Sequence, residues 1–263
     1  MSAKDIILKP IDAQTANSVI KRLHYSGKIV NNSQVHLGVY YAGSLEGVLQ
    51  FGPSLDKGKI QTLVKDTKWN GFLELNRMAF SEALPRNSES RAIAIAMKML
   101  KKHAPHLEWI ISFADGTQCG DGTIYRASGF KLTAINPSSN LAQLPNGDVI
   151  HKMTLESNPT SPRKELGGKS YYEITNGKYD FNAYLNYVQG QKLQGFQLRY
   201  IYFMDESVEA RCNVALLPFS EIAKKGATMY KGLRGESIGS DATGFQPVQG
   251  GATPTSLLQP SEK

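Results

Sequence analysis

The chain has 263 residues, 41% of them hydrophobic and 20% charged, and its 30 Lys and Arg outweigh 23 Asp and Glu to give a formal net charge of +7. That fits one large globular domain, or one domain with an elaboration, and excludes wholesale disorder. No run reaches the roughly 20 apolar residues of a membrane span. The opening residues lack a secretory pattern, and two cysteines, Cys119 and Cys212, are too few for a disulfide framework or a Cys-type zinc site. A cytoplasmic setting is the expectation, and the basic balance favours a polyanionic partner, nucleic acid first.

Asp12 or Thr15 can cap a helix running to about Leu23, with Val19, Ile20 and Leu23 on one face. His24-Tyr25-Ser26-Gly27 breaks that pattern. Residues 35–41 and 47–51 read as short strands joined by the turn chemistry of Ala42-Gly43-Ser44. Residues 72–80 read as a third strand, with Glu74, Asn76 and Met78 on one face and Leu75, Arg77 and Ala79 on the other. Pro85-Arg86-Asn87-Ser88 is a loop and cap. Residues 88–102 form the clearest helix, with Ile93, Met97 and Leu100 at helical spacing and Lys98, Lys101 and Lys102 toward the end that favours cations.

Residues 108–115 read as a buried strand ending in the carboxylate Asp115. A glycine-rich stretch leads from there to a short helix at 123–128, closed by Gly129 before a strand from Phe130. Alternating strands and helices predict an α/β fold, a mixed sheet with parallel strands flanked by helices. A polar linker at 158–168 follows. Beyond it, 171–175, 184–188 and 198–204 predict a Tyr-rich extension with strand character, and 214–231 another strand and turn. The composition of 239–263 predicts a disordered tail.

Tyr125-Arg126-Ala127-Ser128-Gly129-Phe130 resembles the closing motif of the N-acetyltransferase superfamily, whose tyrosine can protonate a leaving group. The strand-loop-helix around Arg86, Asn87 and Ser88 resembles that superfamily's donor seat, where backbone N–H groups hold a pyrophosphate. Glu89 and Arg91 stand where its glycines belong, which weakens an acyl-coenzyme A as donor.

A more specific likeness comes from four words in order: His24-Tyr25-Ser26-Gly27, Leu75-Asn76-Arg77-Met78-Ala79-Phe80, Ser112-Phe113-Ala114-Asp115 and Ile124-Tyr125-Arg126-Ala127-Ser128-Gly129-Phe130. With them the chain resembles the Mom family of phage DNA-modification proteins, well over 21–132 and more loosely through Tyr200-Ile201-Tyr202-Phe203 and Leu217-Pro218-Phe219. The resemblance implies an acetyltransferase-like core over 1–157, an extension over 158–238 packed on it, and a tail over 239–263. It implies conversion of adenine in double-stranded DNA to carbamoylmethyl-adenine, in the cytoplasm of a bacterial host, as protection from restriction enzymes.

The same resemblance nominates four site residues. Asp115 would orient or deprotonate the adenine amine, Arg77 would stabilise negative charge, Tyr125 would protonate the leaving group, and His24 would position substrate or shuttle a proton. Taken singly, Asp115 also reads as a turn cap, Arg77 as a strand residue paired with Glu74 or Glu108, and His24 as a helix C-terminal histidine. Iron is implied as a possible metal, and His24, His36 and Asp115 are the residues that would supply such a triad, although their spacing gives no short pair.

Carbamoylmethyl is not an acyl group, so plain acetyl transfer cannot produce it. Glycyl transfer followed by rearrangement can, which makes glycyl-tRNA a candidate donor and tRNA a candidate partner. Lys169, Lys178, Lys192 and Arg199, interleaved with Tyr171 and Tyr172, are candidates for the DNA-facing surface; a Tyr-rich sheet packed on the core is the other reading. An ordinary N-acetyltransferase and a non-enzymatic anti-restriction DNA-binding protein are the alternative functions.

Overall fold

A computed structural model describes residues 2–117, 120–230 and 233–234. The expected tail at 239–263 lies outside the described residues, as does Cys119. In chain order the elements are β1 (Ile7–Pro10), α1 (Ala13–Leu23), β2 (Val35–Tyr41), β3 (Ser44–Gly52), α2 (Lys57–Gln61), β4 (Phe72–Phe80), α3 (Ser88–His103), β5 (Trp109–Asp115) and α4 (Thr123–Ala127). There follow β6 (Lys131–Gln143), β7 (Val149–His151), α5 (Lys152–Glu156), α6 (Tyr171–Thr175), α7 (Phe181–Val188), β8 (Gln191–Phe203), α8 (Glu206–Glu209) and α9 (Ser220–Lys224).

Local chemistry explains the first half. Asp12 caps α1 by accepting the N–H of Thr15 at 2.8 Å. Ala42 and Gly43 both take positive φ, 48° and 86°, which is the turn that suits a tight hairpin between β2 and β3. Strands β1 to β4 pair antiparallel in sequence order, and α3 then crosses over to bring β5 parallel to β4. The α3 face carrying Ala92, Ile93, Ala96, Met97 and Leu100 is buried in the main core.

The sheet has 8 strands in the order β1-β2-β3-β4-β5-β8-β6-β7. Its β4–β5 ladder is short, joining Phe72, Leu73 and Glu74 to Trp109, Ile110 and Ile111. Beyond those pairs β4 stays with β3 as far as Phe80, and β5 stays with β8 as far as Asp115. Strand β8 therefore completes the central sheet from a segment well beyond residue 158. Parallel pairing is confined to β4 and β5 among the described pairs. The other neighbours run antiparallel, because β8 enters the sheet between β5 and β6 rather than continuing a crossover series.

The mixed α/β sheet flanked by helices is present, but two expected strands are helices. The 171–175 segment is α6: Ser170 accepts the Glu173 N–H at 3.2 Å, and the Glu173 carboxylate accepts the Ser170 N–H at 2.7 Å. The 184–188 segment belongs to α7, capped by Asp180, with Phe181, Tyr184 and Leu185 buried on one face. Aromatic content pointed to strands, but the two caps decide the matter. The 198–204 segment is strand as expected up to Phe203, and 214–231 holds α9 followed by the short pair Met229–Tyr230 with Leu233–Arg234.

The base of the β4–β5 ladder is held by a fully buried aromatic pair. Trp109 stacks on Phe72 with ring centroids 4.3 Å apart and planes 4° from parallel. Its Nε1 donates to Thr67 Oγ1 at 3.0 Å. Trp109→Ala should lower the unfolding free energy by about 3–5 kcal/mol in urea denaturation. Leu55→Ala, at a side chain 82% exposed, should stay within about 0.5 kcal/mol.

Candidate active site

Where β4 and β5 part, each presents a functional side chain near its carboxyl end. Arg77 on β4 lies opposite Gln50 on β3, next to a bulge at Gln50 and Phe51. Its Nε donates to the backbone oxygen of Lys28 at 3.0 Å, and its Nη1 donates to the Asn76 oxygen at 2.8 Å. Burial lowers the guanidinium below its ordinary value, while Tyr25 and Glu74 act in the opposite direction. Burial raises the Glu74 carboxyl, and Arg77 counteracts it. Of the two carboxylates that could have paired with Arg77, Glu108 instead pairs with Arg211 at 2.5 Å.

His24 caps the C-terminus of α1, its N–H bonding the Ile20 oxygen at 2.9 Å. A histidine there is usually favoured as a cation, but burial first, and Arg77 second, push its pKa down to about 4. Its Nδ1 accepts the backbone N–H of Ser26 at 3.2 Å. The neutral ring therefore carries its proton on Nε2. Its neighbour Tyr25 is 57% exposed, the rings 4.3 Å apart.

Asp115 ends β5 opposite Gln197 of β8. One carboxylate oxygen accepts the Thr117 N–H at 2.9 Å, so the aspartate does cap its turn. Its charge also reaches His151, a residue the sequence reading missed. Burial lowers the His151 pKa, Asp115 and Glu156 act to raise it, and Lys28 acts to lower it. His151 Nδ1 accepts the Met153 N–H at 3.1 Å, which repeats the device seen at His24. His24 and Arg77 are thus neighbours, and Asp115 joins them electrostatically through His151 and Lys28. His151 and Lys28 belong to segments over 100 residues apart in the chain; only the sheet topology reveals their meeting.

Tyr125 lies on α4 and is 8% exposed, its ring packed 5.4 Å from Phe130 and 5.2 Å from Tyr200. The loop before it is fixed by Gly122 at φ +79°, where a Cβ would strike the Tyr200 ring, and by the Tyr200 hydroxyl donating to the Asp121 oxygen at 2.5 Å. In the expected donor loop Arg86 is exposed, Asn87 takes a left-handed conformation with φ 70°, and Ser88 is fully buried with no partner for its Oγ.

The expected DNA-facing residues divide. Lys169, Lys178 and Lys192 are exposed, and Tyr172 is partly so. Tyr171 is 0% exposed in a second core cluster with Tyr184 and Leu185, so its ring has no face to offer a base. Arg199 is committed to Thr133, through Nε to Oγ1 at 2.9 Å and Nη2 to the backbone oxygen at 3.3 Å, and ties β8 to β6. Among the described residues no group of three His, Cys, Asp or Glu side chains is arranged to hold a metal ion. His24, His36 and Asp115 are not such a group: His36 Nδ1 instead sits 3.1 Å from the Gln50 amide nitrogen. No helix of the described residues is long and apolar enough to cross a membrane.

Residues 5–221 match the Mom protein family. The chain belongs to that family. This Mom-family chain is 34% identical over 219 residues to the methylcarbamoylase Mom of Escherichia phage Mu, covering 81% of this chain and 82% of that protein. Among solved structures, a Bacillus subtilis acetyltransferase in complex with coenzyme A is 12% identical, covering 75% of this chain and 97% of its own, with a TM-score of 0.40. An IAA acetyltransferase from Bacillus cereus is 10% identical, covering 75% and 99%, also with a TM-score of 0.40. At those values the structural likeness says nothing of chemistry.

Because the folded chain holds His24 neutral and the unfolded chain does not, stability is full above pH 6.5 and falls as pH drops toward about 4. NMR should find this imidazole titrating near 4, and His24→Gln should flatten the acid limb of a stability–pH curve over that window. A His24 titration near 6.5 would contradict the burial argument.

Proposed function

We propose that this Mom-family protein modifies adenine in double-stranded DNA to carbamoylmethyl-adenine and so shields phage DNA from restriction enzymes inside a bacterial host. The observation that carries this reading is that Arg77 and Asp115 stand near the carboxyl ends of two diverging strands, with His24 beside Arg77, in a chain of this family. The 34% identity to a methylcarbamoylase supports the reaction class, and the net charge of +7 suits a nucleic-acid substrate.

The exocyclic amine of adenine is delocalised into the ring and buried in the duplex, so the base must be turned out to react. Asp115 orients the amine and accepts its proton as the nitrogen attacks the donor's acyl carbon. Arg77 stabilises the oxyanion of the tetrahedral intermediate. Tyr125 gives its proton to the departing oxygen or sulfur. His24, neutral at working pH, positions the substrate through its Nε2–H.

The donor that fits the product is an activated glycine such as glycyl-tRNA. Glycyl transfer forms the amide bond and releases the carrier hydroxyl. The free glycyl amine then attacks the ring carbon bearing the amide, through a five-membered spiro intermediate. The original exocyclic nitrogen leaves that carbon and becomes the carboxamide, which gives carbamoylmethyl-adenine with no oxidant or reductant. No step here is routed through a metal.

Mass spectrometry of nucleosides from cells expressing the chain should detect the heavier adenine. Asp115→Asn and Tyr125→Phe should each leave a cooperatively melting protein and reduce modification by about 10²–10⁴-fold. Lys98→Ala, exposed on α3, should change little. Near-normal modification by both site variants would remove these assignments, and acetyl-coenzyme A turnover without DNA would point to an ordinary N-acetyltransferase.

A further inference from the structure

Cations gather around Thr154 with no assigned task. The Lys28 ammonium reaches across from the loop after α1 and donates to Thr154 Oγ1. Arg163, in the linker after α5, donates from Nη2 to the backbone oxygen of the same threonine at 2.5 Å. Arg77 fixes this arrangement from the other side, through its 3.0 Å bond to the Lys28 backbone oxygen. Two positively charged side chains from remote parts of the sequence therefore converge on Thr154 of α5, and a third, Arg77, holds the loop that carries one of them.

Their counter-charges are incomplete. Among the described residues Lys28 forms no ion pair, and Arg163 has one, to Glu165 at a loose 3.8 Å. Arg163 Nε is buried with no acceptor. Burial lowers the Lys28 pKa, and the charges of Arg163 and Arg77 lower it further. Crowded cations with too few counter-charges are the complement of an anion.

We propose that Lys28 and Arg163 form a seat for a DNA phosphodiester, the one flanking the adenosine turned into the cleft. The proposal rests on the reading of this chain as a DNA-adenine-modifying enzyme. A base swung out of a duplex carries its flanking phosphates with it, and a pocket for the base needs an anion seat within one nucleotide's reach. Lys28 supplies the exposed point charge, and Arg163, only loosely paired through Nη1 to Glu165, adds a second fixed positive charge beside it. Lys164 and Lys169, both exposed on the same linker, extend the positive track as a polymer requires and a small donor does not. The donor seat expected at 86–88 is on a different element, the head of α3.

The test is fluorescence anisotropy of the full chain with a labelled single-stranded oligonucleotide containing one adenine. Versions are compared in which one linkage beside the adenosine, on either side, is a neutral methylphosphonate. Neutralising one of these should weaken wild-type binding about tenfold. Lys28→Met and Arg163→Gln should each weaken binding of the natural strand about tenfold, lose nothing further on the neutralised strand, and reduce the salt slope by roughly 0.7. Lys28→Arg should retain binding. Lys28 is solvent-accessible, so the melting curve of Lys28→Met should match wild type and exclude misfolding as the cause. Losses that simply add to the methylphosphonate effect would overturn the seat. So would absent binding by wild type, or a rise confined to the KM of the donor. Phosphate-dependent binding without any modified nucleoside would instead overturn the proposed activity and leave the seat standing.

Discussion

The site depends on the early end of the β4–β5 ladder. After Glu74 and Ile111 each strand keeps only its outer partner. A parallel pair that stops hydrogen bonding leaves backbone groups that must find other partners. Ser112 Oγ supplies one by donating to the Leu75 oxygen at 3.3 Å. The same separation puts Arg77 and Asp115 near the carboxyl ends of two diverging strands, where open α/β sheets receive ligands. Once β5 has left β4 it needs a continuous neighbour on its other edge, and β8 provides it from Trp109 to Asp115. The segment beyond residue 158 is therefore part of what holds Asp115 in place.

Burial sets the charge states near those strand ends. His24 and His151 are each held neutral by desolvation, and each accepts a backbone N–H on Nδ1 from the residue two positions on. That hydrogen bond on Nδ1 favours the tautomer with the proton on Nε2. Cations respond differently: a guanidinium keeps its charge through partial burial, whereas an ammonium yields more readily. Burial and the nearby charges of Arg163 and Arg77 lower the Lys28 pKa, and an anion beside it would act in the opposite direction.

Much of the framework was legible in the sequence. Asp12 as a cap, the Ala42-Gly43 turn, β4 and α3 follow from local chemistry and periodicity, and the structure has them. The four words of the family likeness marked His24, Arg77, Asp115 and Tyr125; the fold sets His24 beside Arg77, and the charge of Asp115 acts on His151. What stayed hidden depends on distant pairing. His151, Lys28 and Arg163 carry no local signal, since they meet only after β8 has entered the sheet and α5 has been laid against the loop after α1. The Tyr-rich segment misled because β propensity reflects a side chain's packing surroundings more than a backbone preference. Its Ser-x-x-Glu and Asp caps were the stronger signal. Tyr171 was nominated for a solvent-facing task, yet it anchors the second core.

The polar groups left unpaired by folding extend this picture. Buried donors and acceptors are nearly always satisfied in a folded protein. Among the described residues Gln50 Oε1, Ser54 Oγ, Ser88 Oγ, Arg163 Nε and Tyr171 Oη are buried without partners. Gln50 lies opposite Arg77 on β3. Ser88 opens α3, whose first turn meets α4 where Ser128 Oγ donates to the Ser90 oxygen at 3.5 Å. Arg163 joins the cluster through Thr154. Three of the five groups sit beside an element that also carries a nominated site residue: β4 for Arg77, α4 for Tyr125, and the loop after α1 for His24; Tyr171 lies in the second core. A sequence selected for stability alone would pair or remove such groups, because each costs about 1–3 kcal/mol when buried and unsatisfied. For the three beside nominated residues, a polar, charged substrate could supply the partners that folding leaves out.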